Sequence, residues 1–271
     1  MRRLDAELVS RGLVRSRGEA QTAIDERRVK IDGMVALKAA TGVSPQSNLI
    51  VESDGDSYVS RGAHKLLGAL DAFPISLSGR YVLDAGASTG GFTQVALEAG
   101  AARVLAVDVG YGQIAWSLRT DPRVQVMERQ NIRYLEPHQL EFVPQVVVAD
   151  LSFISLTTVL PALTSLIDPK GEMLLMVKPQ FEAGRDAVSA SHGVVRDPEI
   201  RKLAVNRVAQ AGITSGWNIS GIAASPLPGP KGNVEYFLWL THRPQVQGMH
   251  VSPDTTDLAS MIDIAIEEGP A

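Results

Sequence analysis

The sequence predicts an α/β fold: a doubly wound, mostly parallel sheet of seven strands whose last strand runs antiparallel, preceded by a small α+β head. Three observations predict it. From residue 81 onward, short unbroken apolar runs alternate with helical stretches, the pattern of strands buried on both faces and covered by helices. The first run, Tyr81-Val82-Leu83-Asp84-Ala85, breaks into the small residues Gly86-Ala87-Ser88-Thr89-Gly90-Gly91, as a buried strand does when it turns tightly into a helix. The last two runs, 217–224 and 234–240, are joined by Pro226-Leu227-Pro228-Gly229-Pro230-Lys231-Gly232. That joint is shorter than the dozen or more residues of a parallel crossover, so the two runs are expected to be antiparallel neighbours.

Composition narrows the function classes. At 271 residues the chain has room for one large domain, or a large one with a small companion. Apolar and charged fractions of 45% and 21% are those of soluble globular proteins. The absence of cysteine excludes a disulfide framework and a thiolate metal centre, and the five histidines form no pair at ligand spacing, so no metal site is expected. The N-terminus brings in acids at once and lacks the apolar stretch of a secretory signal. The longest apolar runs, such as 173–177, fall far short of the roughly 18 residues a membrane helix needs. A cytoplasmic, monomeric protein that does not insert into membranes is expected. Charge is unevenly placed: residues 1–50 hold nine Lys or Arg against six Asp or Glu, a net +3, whereas the remaining 17 bases and 24 acids give −7. A basic head on an acidic body points to a nucleic-acid partner held from one end.

In the head, Leu4, Leu8 and Val9 share one helical face that Gly12-Leu13 closes. Ser16-Arg17-Gly18-Glu19 has the form of a capping box, and Ala20, Ala23 and Ile24 give the helix behind it an apolar stripe. Val29-Lys30-Ile31 alternates like a strand and meets Asp32-Gly33, a two-residue hairpin signal, before Met34-Val35-Ala36-Leu37. Residues 48–51 read as a last strand. Arg3-Leu4-Asp5, Gly12-Leu13, Ser16-Arg17, Ala20, Arg28-Val29, Ile31-Asp32-Gly33 and Lys38 make this head resemble the S4 RNA-binding domain. The resemblance implies a face for structured RNA, touching phosphates and 2′-hydroxyls by shape more than by sequence. Arg3, Arg15, Arg17, Arg27, Arg28, Lys30 and Lys38 are its candidate contacts. The expected boundaries are 1–55 for this domain, 56–62 for a linker, 63–243 for the sheet domain and 244–271 for a polar tail.

The body then reads in order. Leu66, Leu67, Leu70 and Phe73 lie on one face of a helix over 63–73, which Pro74 ends. Strands are expected at 81–85, 103–109, 124–127, 145–150, 172–178, 217–224 and 234–240. Helices are expected at 91–99, ending at Gly100, and at 157–167 and 198–211. A short helix fits 255–268, with no function assigned to it. A seven-stranded sheet with an antiparallel last strand is the arrangement of class I, Rossmann-like methyltransferases.

The glycines of the first turn are spaced G-x-x-x-G-G, which departs from the G-x-G-x-x-G fingerprint of dinucleotide binders and counts against NAD. Asp84 just before them suits a ligand with a cationic amino group better than a pyrophosphate. S-adenosylmethionine carries such a group and a sulfonium. The same turn also fits a nucleotide-free α/β protein. Ligands of doubly wound sheets sit outside the carboxyl ends of the strands, where Asp84, Asp108, Asp150 and Lys178 all fall. Asp108, ending the second strand, is placed to accept from ribose hydroxyls, and an antiparallel last strand brings Glu235 to the same edge. From spacing alone, Asp150, Lys178 and Glu235 are equally a reactive site and a structural ion-pair cluster. Gly86, Gly90 and Gly91 are candidates to approach the cofactor's backbone-facing side, Ser88 and Thr89 its carboxylate, and Asn131 its adenine. Residues 191–197 are a candidate substrate-side loop.

Ser60-Arg61-Gly62-Ala63-His64-Lys65-Leu66, the 84–92 turn, Asp150-Leu151-Ser152-Phe153, Lys178-Pro179-Gln180-Phe181 and Gly232-Asn233-Val234-Glu235 resemble the TlyA family of ribosomal RNA 2′-O-methyltransferases, relatives of the FtsJ/RrmJ enzymes. With the S4-like head, the resemblance covers the chain to about residue 243. It implies S-adenosylmethionine as cofactor, ribosomal RNA or a ribosomal subunit as partner, cytidine as the modified nucleoside, and a catalytic tetrad of Lys65, Asp150, Lys178 and Glu235. Lys178 is the candidate to take the proton of the ribose hydroxyl, or, if charged, to orient it. A ribosome-associated factor that binds cofactor without chemistry is the alternative, and intact tetrad positions favour the enzyme. Members of the family are also labelled hemolysins, but the sequence holds no persuasive amphipathic or spanning segment.

Overall fold

A computed structural model describes residues 2–14, 16–51, 58–184, 193–242 and 255–270. The chain divides into two units, residues 1–57 and 58–271.

In the first unit, β1 (Arg2–Arg3) leads into α1 (Leu4–Ser10) and α2 (Arg17–Asp25), followed by β2 (Val29–Ile31), β3 (Met34–Val35), β4 (Gly42–Val43) and β5 (Leu49–Val51). Ser16 caps α2 by accepting from the Glu19 amide at 3.1 Å. Asp32 and Gly33 both have positive φ, 48° and 87°, as the two-residue turn between β2 and β3 requires. Strands β3, β2 and β5 form one small sheet, while β1 and β4 form a two-stranded pair that two residues of sequence could not announce. Leu4, Leu8, Ala20, Ile24 and Val29 make the core between helices and sheet.

In the second unit the elements are α3 (Gly62–Ala72), β6 (Tyr81–Ala85), α4 (Gly91–Glu98), β7 (Arg103–Val107), α5 (Trp116–Arg119), β8 (Val124–Met127), β9 (Val146–Ala149), α6 (Leu156–Leu166), β10 (Glu172–Val177), α7 (Pro179–Glu182), α8 (Pro198–Thr214), β11 (Trp217–Ala224), β12 (Tyr236–His242) and α9 (Thr255–Glu267). The seven-stranded sheet runs β11-β12-β10-β9-β6-β7-β8. From β10 to β8 every pair is parallel, and β12 is antiparallel to both β10 and β11. The expected architecture is therefore the one observed.

Because side chains alternate across a strand, each buried run feeds two cores. Leu83, Ala85, Leu105 and Val107 face one, with α6, α8 and α9; Val82, Val104 and Ala106 face the other, with α3 and α4. Helix α9 is tied into the first by Leu258, Ile262, Ala265 and Ile266, and by an ion pair from Lys202 to Asp263 at 2.9 Å.

The pairing stops short of several expected strand ends. Ladders close at Val107, Ala149 and Val177, and the last strand opens at Tyr236. Asp108, Asp150 and Lys178 are thus the first residues beyond their strands, and Glu235 the last before its own. Val177 pairs with Tyr236, so Lys178 and Glu235 leave the sheet at one edge.

Candidate active site

A cleft of about 620 Å³ lies at that edge. Its walls are the approach to α3 (Ser60, Arg61, Gly62) with Lys65, the glycine turn (Gly86 to Thr89, Gly91, Phe92), the residues beyond β9 and β10 (Asp150, Ser152, Lys178), and the joint before β12 (Leu227 to Pro230, Gly232). The volume is that of an ordinary small-molecule site.

The four polar residues expected here form two pairs. Lys65 Nζ donates to Glu235 Oε2 at 2.5 Å, and Lys178 Nζ lies 2.5 Å from Asp150 Oδ1 while donating to Ser152 Oγ at 3.0 Å. Lys65, Asp150 and Lys178 line the cleft, whereas Glu235, 1% exposed, supports Lys65 from beneath. The second oxygen of Glu235 is buried without a hydrogen-bond partner, and a Cβ at Gly229 would stand 2.5 Å from it.

Asp84 does not line the cleft. It shares the inner face of β6 with Val82 and is fully buried, so burial pushes its carboxyl up to about 7. Thr93 Oγ1 donates to Oδ2 at 2.6 Å; Oδ1 has no partner. Such an oxygen is a standing demand for a donor or a cation.

The glycines above it meet the protein itself. A Cβ at Gly86 would lie 2.6 Å from the Asp150 carbonyl oxygen, one at Gly90 would strike Leu118, and one at Gly91 would strike Ser60 Oγ and lie 2.9 Å from the Ala63 amide nitrogen. Gly86 and Gly90 also have φ of 88° and 99°. Close approach is required here, by neighbouring segments of the chain as much as by a ligand. Asp108 reaches into the same turn: its two oxygens accept from the amides of Ser88, at 2.8 Å, and Gly110, at 2.6 Å. Asn131 accepts from the Arg133 amide at 3.0 Å, capping a short helical turn outside the cleft lining.

Residues 58–242 match the model of the FtsJ-like methyltransferase family, and residues 2–48 that of the S4 domain. The 16S/23S rRNA (cytidine-2′-O)-methyltransferase TlyA of Mycobacterium tuberculosis strain H37Rv is 53% identical over 269 residues, which is 99% of this chain and 98% of that one. This chain belongs to the TlyA family of FtsJ-like methyltransferases. The 23S rRNA (cytidine-2′-O)-methyltransferase TlyA of Campylobacter jejuni is 32% identical, covering 85% of this chain and 96% of its own. A solved structure of a hemolysin-named protein from Streptococcus thermophilus superposes with a TM-score of 0.76 at 35% identity, over 98% of this chain and 96% of that one. Among the described residues, no helix is long and apolar enough to cross a membrane.

In this TlyA-family chain the head cations are already partly engaged. Arg3 makes two 3.0 Å hydrogen bonds to Asp5, and Arg28 pairs with Glu26 at 2.6 Å. Arg17, Arg27 and Lys38 are exposed and Lys30 is half-buried; Arg15 lies outside the described residues. Of the 191–197 loop, Ser191 and His192 are also outside them. Gly193 and Val195 are held by Asn233, whose amide donates to the Gly193 carbonyl and accepts from the Val195 amide, each at 2.9 Å. Sequence reading gave no role to Asn233, Ser152 or Thr93, nor to the wall formed by the Pro-Gly joint. Their partners lie far off in sequence, except Thr93, which follows Asp84 by nine residues.

Proposed function

We propose that the protein methylates the ribose 2′-hydroxyl of cytidine in ribosomal RNA, using S-adenosylmethionine, with the S4-like head holding the RNA. The reading rests above all on two lysine–carboxylate pairs opening on one cleft beside a glycine turn. The residues fit the cofactor: the partnerless Asp84 oxygen lies beneath a turn rich in amides, and the cleft beside it is of suitable size. Gly86, Ser88, Thr89, Gly90 and Gly91 would hold its amino-acid end, with Asp84 answering the positive charge from below. Asp108 keeps lone pairs for the ribose after accepting two amides, and Asn131 would flank the base. When bound, S-adenosylmethionine supplies a methyl carbon on a sulfonium that accepts the electron pair of the broken carbon–sulfur bond.

The chain's own part is to make a poor nucleophile competent. Lys178 receives the hydroxyl proton, or orients the hydroxyl while charged, and the oxygen keeps the electron pair with which it takes the methyl. Asp150 fixes Lys178 in place. Lys65, braced by Glu235, adds a positive charge to the cleft floor. Alignment accounts for much of the rate, because a held hydroxyl and methyl donor react as one molecule. Arg17, Arg27, Lys30 and Lys38, with Arg3, Arg15 and Arg28, would contact RNA phosphates, which makes binding salt-dependent.

The test is transfer of labelled methyl from the cofactor to intact ribosomal subunits, with the product nucleoside identified after digestion. A 2′-O-methylcytidine product supports the reading; no transfer from wild type to either subunit overturns it. Transfer to subunits but not to free oligonucleotides is also expected, since the nucleotide must be splayed out of structured RNA.

A further inference from the structure

We propose that Ser152 is a positioning residue that aims the Lys178 nitrogen at the ribose hydroxyl. The inference rests on the role given to Lys178 above. A primary amine nitrogen has three positions besides its carbon. Asp150 faces one, at 2.5 Å, and the Ser152 hydroxyl oxygen faces a second, at 3.0 Å. All three residues line the cleft, Lys178 only 7% exposed and Ser152 open to it. The third position of the nitrogen is the one left to a ligand.

This division sets a direction. A neutral amine carries two N–H bonds and one lone pair. Ser152 Oγ accepts one N–H, and the Asp150 carboxylate, in ion-pair contact, draws the second toward itself, so the lone pair is turned to the third position and meets the hydroxyl proton there. When that proton transfers, the amine becomes an ammonium and the oxygen keeps its electron pair for the methyl carbon. A charged Lys178 presents an N–H in the same direction. Without Ser152 one N–H has no acceptor, and with Asp150 alone beside it the nitrogen can place its lone pair in either of two directions.

The backbone holds Ser152 in this place at some cost. Phe153, the next residue, has φ of 65°, in the left-handed region that side chains with a Cβ rarely adopt. The turn is then fastened to α7, which starts immediately after Lys178. The Phe153 ring lies 5.3 Å from Phe181, and Glu182 accepts from Ser155 Oγ at 2.5 Å and from the Leu156 amide at 2.7 Å. The loop bearing Ser152 and the segment bearing Lys178 are therefore tied by two hydrogen bonds to Glu182 besides the one to Ser152 itself, while the Phe153 ring stays largely exposed. An exposed loop serine with no partner would need none of this.

The experiment compares full-length wild type, Ser152→Ala and Ser152→Thr in single-turnover methyl transfer to intact ribosomal subunits. Rates are followed between about pH 6 and about pH 9, alongside cofactor affinity by calorimetry. Ser152→Ala is expected to slow transfer about ten- to hundredfold, part of what a positioned proton acceptor contributes. Its pH–rate profile moves, its cofactor Kd and melting temperature stay at wild-type values, and Ser152→Thr, which keeps the hydroxyl, restores most of the rate. A Ser152→Ala rate within about twofold of wild type with an unmoved profile overturns the inference. So does a loss that threonine fails to rescue and that leaves the pH profile unchanged, which marks a structural role. Absence of transfer by wild type sinks instead the function proposed above, so the two failures are told apart.

Discussion

Two lysine–carboxylate pairs stand at one sheet edge with the same 2.5 Å separation, yet they differ in how they meet water. In the Lys65–Glu235 pair the carboxylate side chain is 1% exposed; in the Lys178–Asp150 pair it is 20% exposed. In the first the carboxylate is closed off between α3 and the start of β12 while Lys65 lines the cleft, so much of its attraction is spent on offsetting desolvation. The second keeps an open side and a serine partner. The difference teaches that two pairs of the same charges and separation can differ mainly in the exposure of the carboxylate.

Breaking the pairs separately sharpens this contrast. Lys178→Ala has the largest expected effect, a fall in methyl transfer of about 10²–10⁴-fold with the fold intact, measured by single-turnover kinetics and circular dichroism. A wild-type rate in that variant would move the chemistry elsewhere. Lys65→Met is expected to lower stability by about 3–5 kcal/mol in urea denaturation, because Glu235 is left charged and unpaired inside. Adding Glu235→Gln recovers most of that stability without recovering activity. If Lys65→Met unfolds no more easily than wild type, the sealed pair is not a brace.

Asp84 provides a pH-dependent contrast with both pairs, for it is buried without a cation. Below about pH 4 both the folded and unfolded chains hold its proton. As pH rises, the unfolded chain releases the proton while the folded one keeps it, so stability drains away until about pH 7 and is level beyond. A rise from 3.8 to about 7, at 1.36 kcal/mol per pH unit, amounts to about 4 kcal/mol. The cofactor-free Asp84→Asn variant is expected to escape this loss, its melting-temperature advantage growing from pH 4 to pH 7. An advantage equal at every pH would remove the carboxyl from the account. Smallest is Gly229→Ala, whose Cβ would press on Glu235 and weaken the brace by about 1–3 kcal/mol, read by thermal melting.

The sheet was legible because most of its strands are rich in apolar residues: 81–85, 124–127 and 217–224 have the expected bounds. Polar edge residues blurred the ends of several others. Asp108, Asp150 and Lys178 read as strand ends and stand one step past them, since side chains that serve a cleft leave the ladder. The burial of Asp84 was readable from alternation with Val82, yet its place before a glycine drew attention to ligands instead. Ser152, Asn233 and the wall at 227–232 were illegible for another reason: each acts through a partner on a different element, and no local spacing encodes that. The left-handed Phe153 likewise has no signature in residue type.

The missing side chain at Gly91 has a mechanical consequence. Because Ser60 and the Ala63 amide occupy the space a methyl group would need, the glycine turn and the helix that carries Lys65 are in direct contact. A side chain at residue 91 would part the turn from α3 and carry Lys65 away with the helix.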